Sequence, residues 1–259
     1  MTVSAMLPGM ATNDKAVART HGAPRQAERR FYTGMAMAIL VIALAGFART
    51  YFLRPVLPAP TPALPALSPL IHLHGALFTG WVLLFLVQVR LIATRRSGLH
   101  RRLGVAGAVM AAVMLGVGTQ TAIAAVARGV APFGMDPRRF LIVPLFAIAL
   151  FALFVGAGIV ARRDPQSHKR FMLLGTIAML PPAIARWVLL LGLGPPMVFA
   201  IATLLLVPLV VWDWKTLGRI HPVTFWAGSL LIVSGPLRLV LARTDGWLRI
   251  AEWLVAAAS

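Results

Sequence analysis

Apolar residues fall in seven long runs, at about 31–50, 71–94, 102–127, 140–161, 170–191, 196–214 and 222–242, separated by short polar or basic gaps. Each run approaches or exceeds the roughly 20 residues a helix needs to cross the hydrocarbon of a bilayer. The weak ten-residue alternation of a membrane barrel is not what these runs show. The pattern therefore predicts an all-α polytopic membrane protein, with one leading helix followed by three hairpins of parallel orientation. Residues 31–243 form the membrane domain in this reading. Residues 1–30 are polar and basic, lack the apolar core of a cleavable signal, and read as a disordered cytoplasmic tail. Residues 244–259 carry Trp247, Leu248, Ile250, Trp253 and Leu254 beside Arg249 and Glu252, which predicts an amphipathic helix lying on the outer interface.

Details within the runs refine the picture. Pro55, Pro58, Pro60, Pro62, Pro65 and Pro69 crowd the gap after the first run, a stiff extended spacer. Gly104, Ala108, Ala112 and Gly116 recur every fourth residue in the third run, and Gln120 continues the row. Such a stripe lets another backbone approach closely, so the third helix is expected at the centre of the bundle. Pro181-Pro182 should kink the fifth.

Composition supports the membrane assignment: 59% of residues are hydrophobic, 12% are charged, and the mean hydropathy is +0.83. The net charge of +18 does not point to nucleic acid, because the basic residues lie in the gaps between runs rather than on a soluble stripe with interleaved aromatics. There they suit anionic lipid headgroups. Outside the spans, 15 Lys and Arg fall on the side of the N-terminus and 7 on the other. That bias predicts a bacterial inner-membrane protein with its N-terminus in the cytoplasm and its C-terminus outside. The absence of cysteine excludes disulfides, thiolate catalysis, Cys-ligated iron–sulfur clusters and covalent c-type haem.

The chemistry-bearing pattern occurs three times. His100, His168 and His221 each sit in a basic turn before an apolar run, and each is followed seven residues later by a glycine: Gly107, Gly175 and Gly228. Seven residues is nearly two helical turns, so each His shares a face with its Gly. If the hairpins surround one axis, the three imidazoles lie at one depth on the cytoplasmic side. They are then candidate ligands for haem b iron or a divalent metal, with Asp213 as a further metal ligand and the glycines leaving room for a flat macrocycle. The competing reading is structural: interfacial histidines that bond to the loop backbone or lipid phosphate, and glycines that serve helix packing.

A second set of polar residues marks an alternative. His74, Gln88, Gln120 and Arg186 could line the path of a transporter or small-molecule binding protein. His72 and His74 lie two residues apart and point roughly 160° away from each other on a helix, so one at most faces the bundle. Arg186 and Arg238 are intramembrane cations that either serve function or snorkel to the outer interface. A third reading is an accessory subunit whose polar residues only orient helices, and a homo-oligomer is compatible with all three. No lysine stands in the seventh run for a retinal Schiff base, and no Walker or Rossmann motif is present.

The stretch His72-Leu73-His74-Gly75, Trp81 through Gln88, and Leu99-His100-Arg101-Arg102-Leu103-Gly104 resembles a family of uncharacterised bacterial seven-span membrane proteins with His-bearing basic turns. Ser167-His168-Lys169-Arg170-Phe171-Met172, Ala183-Ile184-Ala185-Arg186-Trp187 and Gly218-Arg219-Ile220-His221-Pro222 share the resemblance, which covers roughly residues 30–255. It implies the topology and the choice of His positions and carries no reaction with it. A looser likeness to b-type transmembrane cytochromes rests on histidines at helix ends. Electron transfer across the membrane would need an outer His pair on two helices, and the outer side has His on the second run alone.

Overall fold

The computed structural model describes residues 11–57 and 66–257, with side chains from Arg25 onward. Among these residues helix is the sole regular secondary structure, and seven helices are long and apolar enough to cross a membrane: α1 (Arg25–Phe52), α2 (Pro69–Ala93), α3 (Ser97–Ala127), α4 (Pro137–Arg163), α5 (Pro165–Leu190), α6 (Pro195–Leu217) and α7 (Pro222–Leu241). A shorter helix, α8 (Asp245–Ala257), follows. The chain is a multi-pass helical membrane protein. Helix begins at Ala11 and runs unbroken into α1. Once α1 is fixed, extending it costs no new nucleus. Residues 1–10 and most of the proline-rich spacer lie outside the described residues.

Five of the seven spans open on proline, a residue that suits the first helical position because its missing N–H would be unpaired there anyway. The residue before the proline often caps the helix. Ser68 Oγ accepts from Ile71 N–H at 3.4 Å. Asp136 accepts from Arg139 N–H at 3.0 Å, and Asp164 from Gln166 N–H at 2.9 Å. The Asp164 carboxyl is held below its ordinary range, first by the Ser167 hydroxyl and then by backbone N–H groups. Pro181-Pro182 breaks α5 as expected, between Ile177 and Pro181; α6 is also interrupted, between Leu204 and Val207, next to Pro208, whereas Pro236 lies inside the continuous α7.

The hairpins α2–α3 and α4–α5 pair closely, and α1 packs on α2 and on the second half of α5. The centre of the bundle is α5, with 61% of its apolar window buried against 22% for α3. The expected central position of α3 is thus corrected. Its buried face is Gly107, Ala111, Met114, Gly118 and Ala122, while Ala112, Gly116 and Gln120 are exposed. Close contacts are made elsewhere. An added Cβ at Gly46 on α1 would lie 2.6 Å from the Ala183 carbonyl oxygen on α5, and one at Gly235 on α7 would lie 2.8 Å from Phe199 on α6. The helix α8 buries Ala251 against Ala122 and Leu141, and Trp247 Nε1 donates to the Arg138 carbonyl at 3.1 Å.

Candidate functional site

The basic turns place a polar cluster at one end of the bundle. There α5 starts with Pro165, and its first turns carry Gln166, His168, Lys169 and Arg170. Arg170 is four residues from Leu174 and seven from Ile177, so it belongs to the buried face of the helix. It is 1% exposed. Its Nε donates to Asp213 Oδ1 at 3.1 Å, and Nη2 donates to the same carboxylate. Nη1 donates to both the backbone and side-chain oxygens of Gln166, each at 2.8 Å. Asp213 on α6 is fully buried, and its Oδ2 also accepts the backbone N–H of His221 at 3.1 Å. Around this pair, Lys169 forms an ion pair with Glu28 of α1 and lies over the ring of Tyr32. Phe31 stacks on Trp212 at 4.6 Å, which ties α1 to α6.

The three histidines of the repeat separate into two roles. His221 Nδ1 accepts from Val223 N–H at 3.2 Å, which makes its side chain the N-cap of α7. An acceptor nitrogen must be unprotonated. Burial first, and the nearby Arg170 charge second, push the His221 pKa below its ordinary 6.5. His100 and His168 instead face each other from α3 and α5, with ring centroids 6.2 Å apart and planes at 89°. His168 Nδ1 is bound to the Gly158 carbonyl oxygen of α4 at 2.7 Å. That fixes the ring and leaves Nε2 as its second nitrogen. His100 Nδ1 is buried without a hydrogen-bond partner.

This arrangement revises the expected four-residue metal set. Among the described residues, no three His, Asp or Glu side chains are grouped to hold an ion. Asp213 is spent on Arg170 and on the His221 N–H, and His221 on its own helix. The glycines do not open a slot for a macrocycle. An added Cβ at Gly107 would lie 3.1 Å from Leu84, one at Gly175 3.2 Å from Val155, and one at Gly228 3.9 Å from Leu206. Leu84 and Val155 fill the space at Gly107 and Gly175, and at Gly228 Leu206 alone comes within 4 Å.

The alternative set does not converge either. His74 and Gln88 are fourteen residues apart on α2, ~21 Å along the axis. His74 stacks on Phe78 with ring centroids 4.1 Å apart and keeps a buried Nδ1 without a partner. Gln88 has a buried, unpartnered Oε1. Gln120 is exposed. Arg186 is tied down on α1, with Nε donating to Thr50 Oγ1 at 2.9 Å and its guanidinium 3.9 Å from the Phe47 ring centroid. The other intramembrane cation differs most from expectation. Arg238 does not snorkel: it is 2% exposed, between α4, α6 and α7.

Sequence reasoning overlooked the Arg170–Asp213 pair because Arg170 shares its basic turn with Arg162, Arg163 and Lys169 and reads as one more charge of that turn. Its spacing to Leu174 and Ile177 was the available signal. No protein-family model, curated protein or solved structure matches this chain.

Proposed function

We propose that this protein is a bacterial inner-membrane protein with a cytoplasmic N-terminus, and that His100 and His168 are its metal ligands. The observation that carries the reading is the facing of two imidazoles from different helices at a 6.2 Å centroid separation. Rings on opposite sides of one ion, bound through ~2.0 Å bonds, have centres ~6 Å apart. The bond from His168 to the Gly158 carbonyl is the outer-shell contact that orients a histidine ligand, and the buried, unpartnered Nδ1 of His100 is a polar atom in want of a partner. Imidazole suits copper, zinc and iron alike. With Gly107 and Gly175 filled by neighbouring side chains, a bare ion fits this pair better than haem b.

The test is elemental analysis of the purified protein, with absorption spectra of the oxidised and dithionite-reduced forms. Stoichiometric metal that is lost in His100→Ala and His168→Ala, and kept in His221→Ala, is the expected result. A Soret band that shifts on reduction would assign the iron to haem b. A colourless, metal-free protein from cells supplied with iron, copper, zinc and haem precursor would refute the reading, as would metal content unchanged in both variants. Orientation is tested separately. The cysteine-free chain allows single-site labelling, and an impermeant maleimide on intact spheroplasts should reach Val130→Cys and not Ser97→Cys.

A further inference from the structure

Arg238 presents a charge that the fold does not balance. Its Nη2 donates to Ser234 Oγ at 2.9 Å and its Nη1 to the Val143 carbonyl at 3.5 Å, while Nε is buried without a partner. The rings of Phe146 and Phe199 lie 5.2 and 5.4 Å from its guanidinium. Every acidic side chain described is engaged elsewhere. Glu28 pairs with Lys169, Asp213 with Arg170, Asp245 with Arg139 and Glu252 with Arg138. Asp136 and Asp164 cap helices. A guanidinium does not give up its proton in a protein, so it remains charged. A buried charge without a partner is strongly disfavoured.

Beside Arg238 lies a cavity of about 20 Å³ between α5, α6 and α7, walled by Ala178, Pro181, Phe199, Ala202, Thr203 and their neighbours. It has room for one small group, a water or a monatomic ion. The second half of α5 begins at Pro181 on the same wall, which brings the positive end of that segment's backbone dipole to the cavity. Pro181 and Pro182 have no N–H to donate, so this end contributes field rather than hydrogen bonds. Thr203 already donates its hydroxyl to the Phe199 carbonyl at 2.9 Å.

We propose that this cavity binds a small, weakly hydrated monovalent anion of the halide class, held by the Arg238 guanidinium. One positive charge calls for one negative charge. The small volume excludes a phosphate, and the mostly apolar walls favour an anion that sheds water easily. This site is independent of the His100–His168 pair.

The test uses the full chain in detergent, with chloride as the probe and gluconate keeping the ionic strength constant. The chloride NMR linewidth should show saturable excess broadening that bromide reverses and sulfate does not. Arg238→Gln should abolish it. Ala202→Leu fills the cavity and retains the charge, and should weaken binding by ~10-fold or more, a shift of ~1.4 kcal/mol. Gel filtration checks that each variant is folded. If Arg238→Gln fails to fold, Ala202→Leu decides alone. Broadening no greater than that of a detergent blank, or unchanged in Ala202→Leu, overturns the proposal.

Discussion

The pair Arg170–Asp213 offers the sharpest test of how the bundle is held together. Both side chains are essentially inaccessible, at 1% and 0% exposure. Replacing Asp213 with Ala strands the guanidinium beside an apolar core and also removes the acceptor of the His221 N–H. At an effective dielectric of ~20, unit charges ~4 Å apart attract by ~4 kcal/mol. Breaking a buried pair from one side costs ~3–5 kcal/mol. Asp213→Ala should therefore destabilise by about that amount, measured by reversible unfolding in mixed micelles. The double variant Arg170→Met/Asp213→Leu removes both charges and keeps apolar volume. It should recover most of the loss, falling short by ~1 kcal/mol for the unpaired His221 N–H. A double-mutant cycle closed with the single variants Arg170→Met and Asp213→Leu isolates the coupling, expected at ~2 kcal/mol or more. If Asp213→Ala stays within ~0.5 kcal/mol of the parent, or the double variant is no better than the worse single one, the pair does not hold α5 to α6.

Other substitutions probe separate contacts. Gly46→Ala and Gly235→Ala should each cost ~1–3 kcal/mol, because the new Cβ would meet the Ala183 carbonyl or the Phe199 ring; Gly116→Ala, with nothing within 4 Å, should be neutral in the same unfolding assay. On α3, Ala111→Leu should destabilise where Ala112→Leu does not, since Ala111 is buried and Ala112 exposed. Acid should weaken the cap of α7. The folded pKa of His221 lies below the ordinary 6.5, so its contribution is complete above that value and declines as pH falls below it toward the folded pKa. His221→Asn keeps a capping oxygen and removes the titration. Melting temperature measured against pH should then lose part of its decline below 6.5 in that variant.

Seven spans were readable because a membrane segment must be long, apolar and internally hydrogen-bonded, and each demand leaves its mark on local sequence. The starts were less sharply readable: the apolar runs begin at about 71, 140 and 170, whereas Ser68-Pro69, Asp136-Pro137 and Asp164-Pro165 open the helices two to five residues earlier, because their polar first turns carry no hydropathy signal. The face that each helix buries was far less legible. In water the buried face is the apolar one; in lipid both faces are apolar, and what distinguishes them is side-chain shape. Two rows of small residues therefore compete on α3, Gly104–Ala108–Ala112–Gly116 and Gly107–Ala111–Gly118, and the second is the buried one. Knowing that Leu84 and Ile148 lie opposite would have decided between them, and those contacts belong to other helices.

The same distinction explains the outcome for the histidine repeat. Each His–Gly pair has the same spacing, but the spacing fixes only that both share a face of their own helix. What that face meets depends on the neighbour. The neighbour of His168 is a carbonyl on α4 and an imidazole on α3. His221 stands before Pro222, whose extended predecessor is the natural capping position, so its ring turns back onto its own helix. The repeat thus yields one facing pair and one cap. The charges follow a different rule, since a cation in a chain with only seven acidic residues cannot be assumed to find a carboxylate. Arg170 takes Asp213, the one acid buried within the bundle among the described residues, and Arg238 has no carboxylate among them.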